Sequence, residues 1–145
     1  MRFWDSSAVI PLVVQEDASV AAQHILSADL DMAVWWGTVV ECFSAIGRLE
    51  RAGLLSAEGA DAARGRLGSV SAGWSEVQPS DSLRRTALRM LRLHALRAAD
   101  ALQGAAALTV AEHDPPSVGV VCRDRRLTAA LRREGMAVEV PGALV

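Results

Sequence analysis

Apolar residues fall along this chain in short runs broken by polar turns, and the runs differ in period. Arg2 to Trp4 is a short, partly aromatic run that stops at Asp5-Ser6-Ser7, which reads as a first strand ending in a polar turn. Ser6 or Ser7 can cap a short helix over residues 8–14, with Pro11 near the first turn, where a missing N–H costs least. Residues 17–27 are Ala-rich and predict a second helix. Residues 32–36 are uninterruptedly apolar and predict a buried strand. Gly37-Thr38 breaks that run. Thr38 can cap the next helix, and Glu41, three residues on, would complete a Thr-x-x-Glu capping box. That helix carries Ile46 and Leu49 and stops near Gly53.

Ser56 opens a further helix with Glu58, Asp61, Arg64 and Arg66 on wet faces. Residues 74–78 are a short strand candidate, and residues 80–96 an arginine-studded helix. Residues 98–112 form an Ala-rich helix that Pro115-Pro116 ends. Residues 118–122 are mostly β-branched and predict a buried strand. Asp124 follows, then a helix to Glu134 that stops at Gly135, and a last strand over residues 137–140. Strands alternating with helices predict an α/β three-layer sandwich, a mostly parallel sheet flanked by helices. With neither repeat nor linker, residues 1–145 read as one domain. Ligands of such sheets bind at the carboxyl ends of the strands. Asp5 and Asp124 each follow a predicted strand and so belong on that rim.

Composition changes this picture in a few places. Hydrophobic residues make up 51% of the chain, enough for a core. The formal net charge of -2 gives no basic excess for gripping nucleic acid by charge alone. Divalent ions on clustered carboxylates would alter that balance locally. Every basic side chain other than histidine is Arg, and Lys, Tyr and Asn are absent, which removes several common catalytic groups. Cys42 and Cys122 are far apart and form no CxxC. The start MRFWDSSAV lacks a signal peptide's apolar run, and no stretch has membrane-spanning character, so a cytoplasmic setting is expected.

Four acids stand among apolar or Ala-rich neighbours: Asp5, Glu41, Asp100 and Asp124. A carboxylate on a buried face is costly unless it pairs or binds a metal. Each has a plainer reading. Asp5 and Asp124 can cap helices, Glu41 can complete the box with Thr38, and Asp100 can pair with Arg97 one turn earlier. Together the four suit another purpose. Carboxylates brought close repel one another, divalent ions relieve the repulsion, and oxygen-only ligands suit Mg²⁺ or Mn²⁺. Such ions activate water and stabilise a phosphodiester in flight without help from Lys, Tyr or His.

These motifs resemble the PIN-domain ribonucleases, in particular the VapC-like toxins of type II toxin–antitoxin systems, over nearly the whole chain. Phe3-Trp4-Asp5-Ser6-Ser7-Ala8-Val9-Ile10 resembles the family's first strand and Asp, and Thr38-Val39-Val40-Glu41 its second acidic motif. Leu96-Arg97-Ala98-Ala99-Asp100-Ala101-Leu102-Gln103 is the most specific match, and Cys122-Arg123-Asp124-Arg125-Arg126-Leu127 resembles the last motif. The chain departs from the pattern at Cys122, where Ser or Thr is common, at Arg123, where a small residue is common, and at Gly104, where an apolar one is usual. The resemblance implies Mg²⁺- or Mn²⁺-dependent endonucleolytic cleavage of RNA (transfer, ribosomal or messenger), a homodimer, and a VapB-like antitoxin that blocks the site. It implies Asp5 and Asp100 as the main metal ligands, with Glu41 and Asp124 completing the site and Ser6, Thr38 and Arg97 in support.

Arginines 84, 85, 89, 92 and 97 can track an RNA backbone or form a solvated helix face; Arg125 and Arg126 also fall near the rim. Trp35 and Trp36 read as packing residues, one of them available to an interface, and Cys42 as a small apolar residue. His24, His94 and His113 have no ligand spacing. Residues 54–74 suit either an antitoxin-binding and dimerising clip or ordinary packing. Phosphotransfer domains and P-loop enzymes need a Lys that this chain lacks. The remaining alternative is a catalytically inactive PIN-like domain that binds RNA or a partner.

Overall fold

The computed structural model describes residues 1–143. Five strands, β1 (Arg2–Trp4), β2 (Met32–Trp35), β3 (Ser75–Val77), β4 (Gly119–Val121) and β5 (Val138–Glu139), form one sheet in the order β3-β2-β1-β4-β5. Every pairing is parallel, so the sheet is wholly and not just mostly parallel. From central β1 the chain builds outward through β2 and β3, then returns to the other side for β4 and β5. The crevice between β1 and β4 is therefore the topological switch point, where parallel sheets bind ligands.

Seven helices cover the sheet: α1 (Ser6–Val13), α2 (Ser19–Ala28), α3 (Thr38–Arg51), α4 (Ala57–Ser71), α5 (Asp81–Leu93), α6 (Ala98–Val110) and α7 (Arg125–Arg133). Successive strand residues point to opposite faces and divide the core in two. Phe3, Ala33 and Val120 join Leu83, Met90, Leu127 and the alanines of α6 on one face. Trp4, Val34 and Val121 join Val9, Ile46 and Leu67 from α1, α3 and α4 on the other. Full burial of a side chain the size of Phe3 is worth about 1.5–3 kcal/mol. Small residues let α6 lie close to its neighbours. A Cβ at Gly104 would stand 2.5 Å from Met90 Cε, so the missing side chain makes room for Met90.

Several boundaries differ from the sequence reading. Trp36 lies outside β2 and is half exposed. The first helix starts at Ser6 and its cap is Asp5, whose carboxylate accepts the Ser7 N–H. Thr38 is the first residue of α3 and Gly37 its cap, with no side-chain cap hydrogen bond. The Thr38–Glu41 capping box therefore does not form. α5 ends at Leu93 because His94 turns extended, where Glu134 holds its ring. α6 ends before the prolines, since Glu112 and His113 adopt φ of 52° and 59° and leave the helix first. Arg64 and Arg66 are not simply wet: Arg64 pairs with Glu50 and Arg66 donates to the Val13 carbonyl. The segment 54–74 packs through Ala60, Ala63 and Leu67. Among the described residues no helix is long and apolar enough to cross a membrane.

Candidate active site

The four acids come from four elements and line one cavity of about 810 Å³ at the carboxyl rim of the sheet. Asp5 leaves the end of β1, Glu41 the first turn of α3 and Asp100 the first turn of α6, while Asp124 caps α7 just past β4. Asp5 is 3% exposed although its neighbours are ions of its own sign.

Helix capping and membership of the cavity coexist. Asp5 commits Oδ2 to Ser7, Asp124 commits Oδ1 to the Leu127 N–H at 2.8 Å, and Asp100 commits Oδ2 to the Arg97 N–H at 3.3 Å. The second oxygen of each aspartate has no protein partner among the described residues. The expected side-chain pairing of Arg97 with Asp100 is replaced by that backbone contact. Glu41 caps nothing. Its Oε1 accepts from Ser6 Oγ at 3.1 Å and its Oε2 from Gln103 Nε2 at 2.9 Å. The same Gln103 amide donates to Thr38 Oγ1 at 3.1 Å, so Thr38 acts through Gln103.

Neither Ser7, read from sequence only as a possible helix cap, nor Gln103 was among the candidate site residues. Ser7 Oγ donates to Asp5 Oδ2 and accepts the backbone N–H groups of Arg123, at 2.8 Å, and Asp124, at 3.2 Å. One hydroxyl thus ties the end of β1 to the end of β4 across the switch point. The Cys122 thiol lies beneath, 3.7 Å from Asp5 Oδ2. Burial pushes it up to about 12, so it is a neutral, weak donor. The backbone around Asp124 is held through its N–H by Ser7 and, more weakly, through its carbonyl by the Cys122 thiol at 3.6 Å. Arg123 pairs with Glu16 at 3.0 Å, and both line the cavity.

The electrostatics are those of a buried anion cluster in which Arg97 and Arg126 act on Asp100. Burial raises the Asp5 carboxyl above its ordinary range against the lowering effect of Ser7, and Asp124 and Asp100 raise it further. Burial also raises Glu41, opposed by Gln103 and reinforced by Asp5. Asp100 is raised by burial, opposed by its bond to the Arg97 N–H. Among the described residues, no three His, Cys, Asp or Glu side chains already close around a single point as a finished metal cage. The acids ring an open cavity.

Beside it lies a second cavity of about 410 Å³ that shares Asp100, Arg123 and Asp124 as a dividing wall and adds Arg97, Arg125 and Arg126. Of the arginines on α5, Arg84 pairs with Asp81 and Arg89 with Glu134. His94 shares that Glu134 at 2.7 Å, and neither residue lines either cavity. Trp35 is buried and meets half-exposed Trp36 edge to face, and Cys42 is a buried free thiol.

No sequence-family model matches the chain, and no curated protein does. Solved structures do. The chain is similar to FitAcB from Neisseria gonorrhoeae, with TM-score 0.70, 18% identity, and coverage of 99% of this chain and 100% of that one. It is similar to a toxin–antitoxin complex from Klebsiella pneumoniae, with TM-score 0.68, 14% identity, and coverage of 99% and 100%. VapBC2 from Rickettsia felis, solved bound to a DNA fragment from its promoter, gives TM-score 0.64, 10% identity, and coverage of 96% and 97%. At these identities the likeness establishes the fold, a PIN-like α/β sandwich.

Proposed function

We propose that the protein is an Mg²⁺- or Mn²⁺-dependent endoribonuclease, the toxin of a toxin–antitoxin pair, neutralised by a VapB-like antitoxin and active as a cytoplasmic homodimer. The observation that carries this reading is the convergence of Asp5, Glu41, Asp100 and Asp124 on one cavity at the switch point.

The donor set fits the ion. It is all oxygen, three aspartates each keep a free oxygen, and the carboxyls, raised chiefly by burial and further by neighbouring acids, would be stabilised in their ionised form by a cation. Asp5, Glu41, Asp100 and Asp124 would hold the ion, which when bound supplies positive charge and an activated water for attack on a phosphodiester. The rest falls to the chain. Ser7 fixes Asp5 and the 123–124 backbone in one register, while Ser6 and Gln103 fix both oxygens of Glu41. The large apolar side chains Trp36, Val40, Phe43 and Leu54 stand exposed on and around α3, a surface suited to a protein partner.

The test is cleavage of RNA by the purified, partner-free protein. Activity should require Mg²⁺ or Mn²⁺, stop on adding EDTA, and vanish in Asp5→Ala and Asp100→Ala, which should also relieve growth arrest on expression. Undiminished cleavage by those two variants would sink the assignment.

A further inference from the structure

The arginines of this chain mostly obey helix electrostatics. Arg48 and Arg51 lie in the last turn of α3, Arg92 in that of α5, and Arg132 and Arg133 in that of α7, where the helix dipole favours cations. Arg2, Arg64, Arg84, Arg89 and Arg123 have carboxylate partners. Three arginines break the rule. Arg97 is the N-cap of α6, and Arg125 and Arg126 are the first two residues of α7. Both helix starts are already positive, so cations there are disfavoured. All three are exposed and form no ion pair among the described residues, yet all line the same 410 Å³ cavity.

Asp100 and Asp124 form one wall of that cavity; the Arg97 and Arg126 guanidinium groups attract the Asp100 carboxylate across it without hydrogen-bonding it, and Arg125 has no carboxylate within ion-pair distance among the described residues. Three unpaired guanidinium groups and two positive helix starts converge where an anion would complete the charge balance. Planar guanidinium forks match phosphate oxygens, and helix N-termini receive phosphate for the same electrostatic reason.

We propose that Arg97, Arg125 and Arg126 form a subsite for a backbone phosphate of RNA, one step along the strand from the phosphodiester presented to the carboxylates. This rests on the ribonuclease reading and adds a direction to it. The strand crosses the Asp100–Asp124 wall, with a neighbouring phosphate held in the arginine lip. The subsite also explains how a chain with a net charge of -2 grips a polyanion: it concentrates three cations at one point of the rim.

The test is single-stranded RNA binding in EDTA, where no cleavage occurs, measured by fluorescence anisotropy from low to moderate salt. The triple variant Arg97→Gln/Arg125→Gln/Arg126→Gln should bind at least about tenfold more weakly at low salt, with a log–log salt slope shallower by about 0.7, the contribution of one phosphate contact on a single strand. Its thermal midpoint should move little, because losing the attraction of Arg97 and Arg126 for Asp100 is offset by removing cations from two helix starts. The pair Arg85→Gln/Arg92→Gln, on exposed positions of α5, should leave the slope unchanged. Inorganic phosphate should compete only weakly; displacement of RNA at equal concentration would make this a free-phosphate site and overturn the proposal. So would an unchanged slope in the triple variant, or an equal loss in the α5 pair. Failure of the wild type to cleave with Mg²⁺ or Mn²⁺ would strike the ribonuclease reading instead, and the binding comparison would still be read.

Discussion

Two groups of acids in this molecule are treated in opposite ways. Glu134, at the end of α7, receives two Arg89 hydrogen bonds at 3.0 and 2.9 Å and the His94 ring at 2.7 Å. Arg89 first, then His94, holds its carboxyl below the ordinary range. Asp5, Glu41 and Asp100, at the opposite end of the local architecture, are pushed above theirs by burial and by one another. A fold that needs an acid for stability gives it a cation. The rim gathers acids and hydrogen-bonds them with hydroxyls, an amide and backbone N–H groups; Arg97 and Arg126 act on Asp100 only through space, and no acid of the four has an ion-pair partner among the described residues. That contrast marks the rim as a place where folding has been made less favourable for a reason beyond folding.

The sharpest way to break the comparison is to neutralise one acid of each kind. Asp5→Asn should lower RNA cleavage by at least about 10²–10³-fold, the cost of removing a group that organises transition-state charge, when initial rates are measured with Mg²⁺. Ser7→Ala should lower cleavage about 10–100-fold while leaving the four carboxylates in place, as removal of an outer-shell partner does. Ser7→Thr should restore part of it, because the hydroxyl is what ties Asp5 to the 123–124 backbone. Glu134→Gln should leave cleavage near wild type and destabilise the fold by about 1–3 kcal/mol in urea unfolding, through lost charge-assisted hydrogen bonds to Arg89 and His94.

Stability should move the other way at the rim. In the metal-free protein at neutral pH, Asp5→Asn should raise the unfolding midpoint, since Asn keeps the cap and removes a buried charge. The pH dependence follows from the same directions. A carboxyl raised in the folded state binds its proton there more tightly than in the unfolded chain. As pH rises from the ordinary carboxylate range through the raised values of Asp5, Glu41 and Asp100, the metal-free fold should lose stability. Glu134 has the opposite sign: its contribution is present above the ordinary Glu range and is lost as pH falls through its lowered value. Unfolding midpoints from acid to neutral pH check this, and a rim contribution that grows with pH would contradict the burial argument.

Much of the fold was legible because its signals are local. The apolar runs at β1, β2 and β4 and the acids at the ends of β1 and β4 need only a period of two and a polar stop. Glu41 was half legible. Thr-x-x-Glu is a real cap signature, but Gly37 takes the cap and Gln103, 62 residues on, takes the carboxylate. Ser7 looked like an ordinary helix-start serine. Its distinguishing contacts, to Arg123 and Asp124, exist only because β4 pairs beside β1 and brings residues 116 and 117 positions away within hydrogen-bond reach. The departure at Cys122 loses its force for the same reason, because Ser7 supplies the hydroxyl. Arginines on α5 drew notice as a run in sequence. The lip at Arg97, Arg125 and Arg126 is assembled from two segments and emerges only when α6 and α7 start side by side.

The central claim is that the rim acids are repelled in order to hold a cation, and Mn²⁺ titration followed by thermal unfolding tests it most directly. Without metal, Asp5→Asn should melt above the wild type. Saturating Mn²⁺ should raise the wild-type midpoint, as any ligand specific to the folded state does, and reverse that order by leaving Asp5→Asn and Asp100→Asn nearly unmoved. Equal Mn²⁺ shifts in the wild type and both variants, or no shift in any of them, would contradict the account.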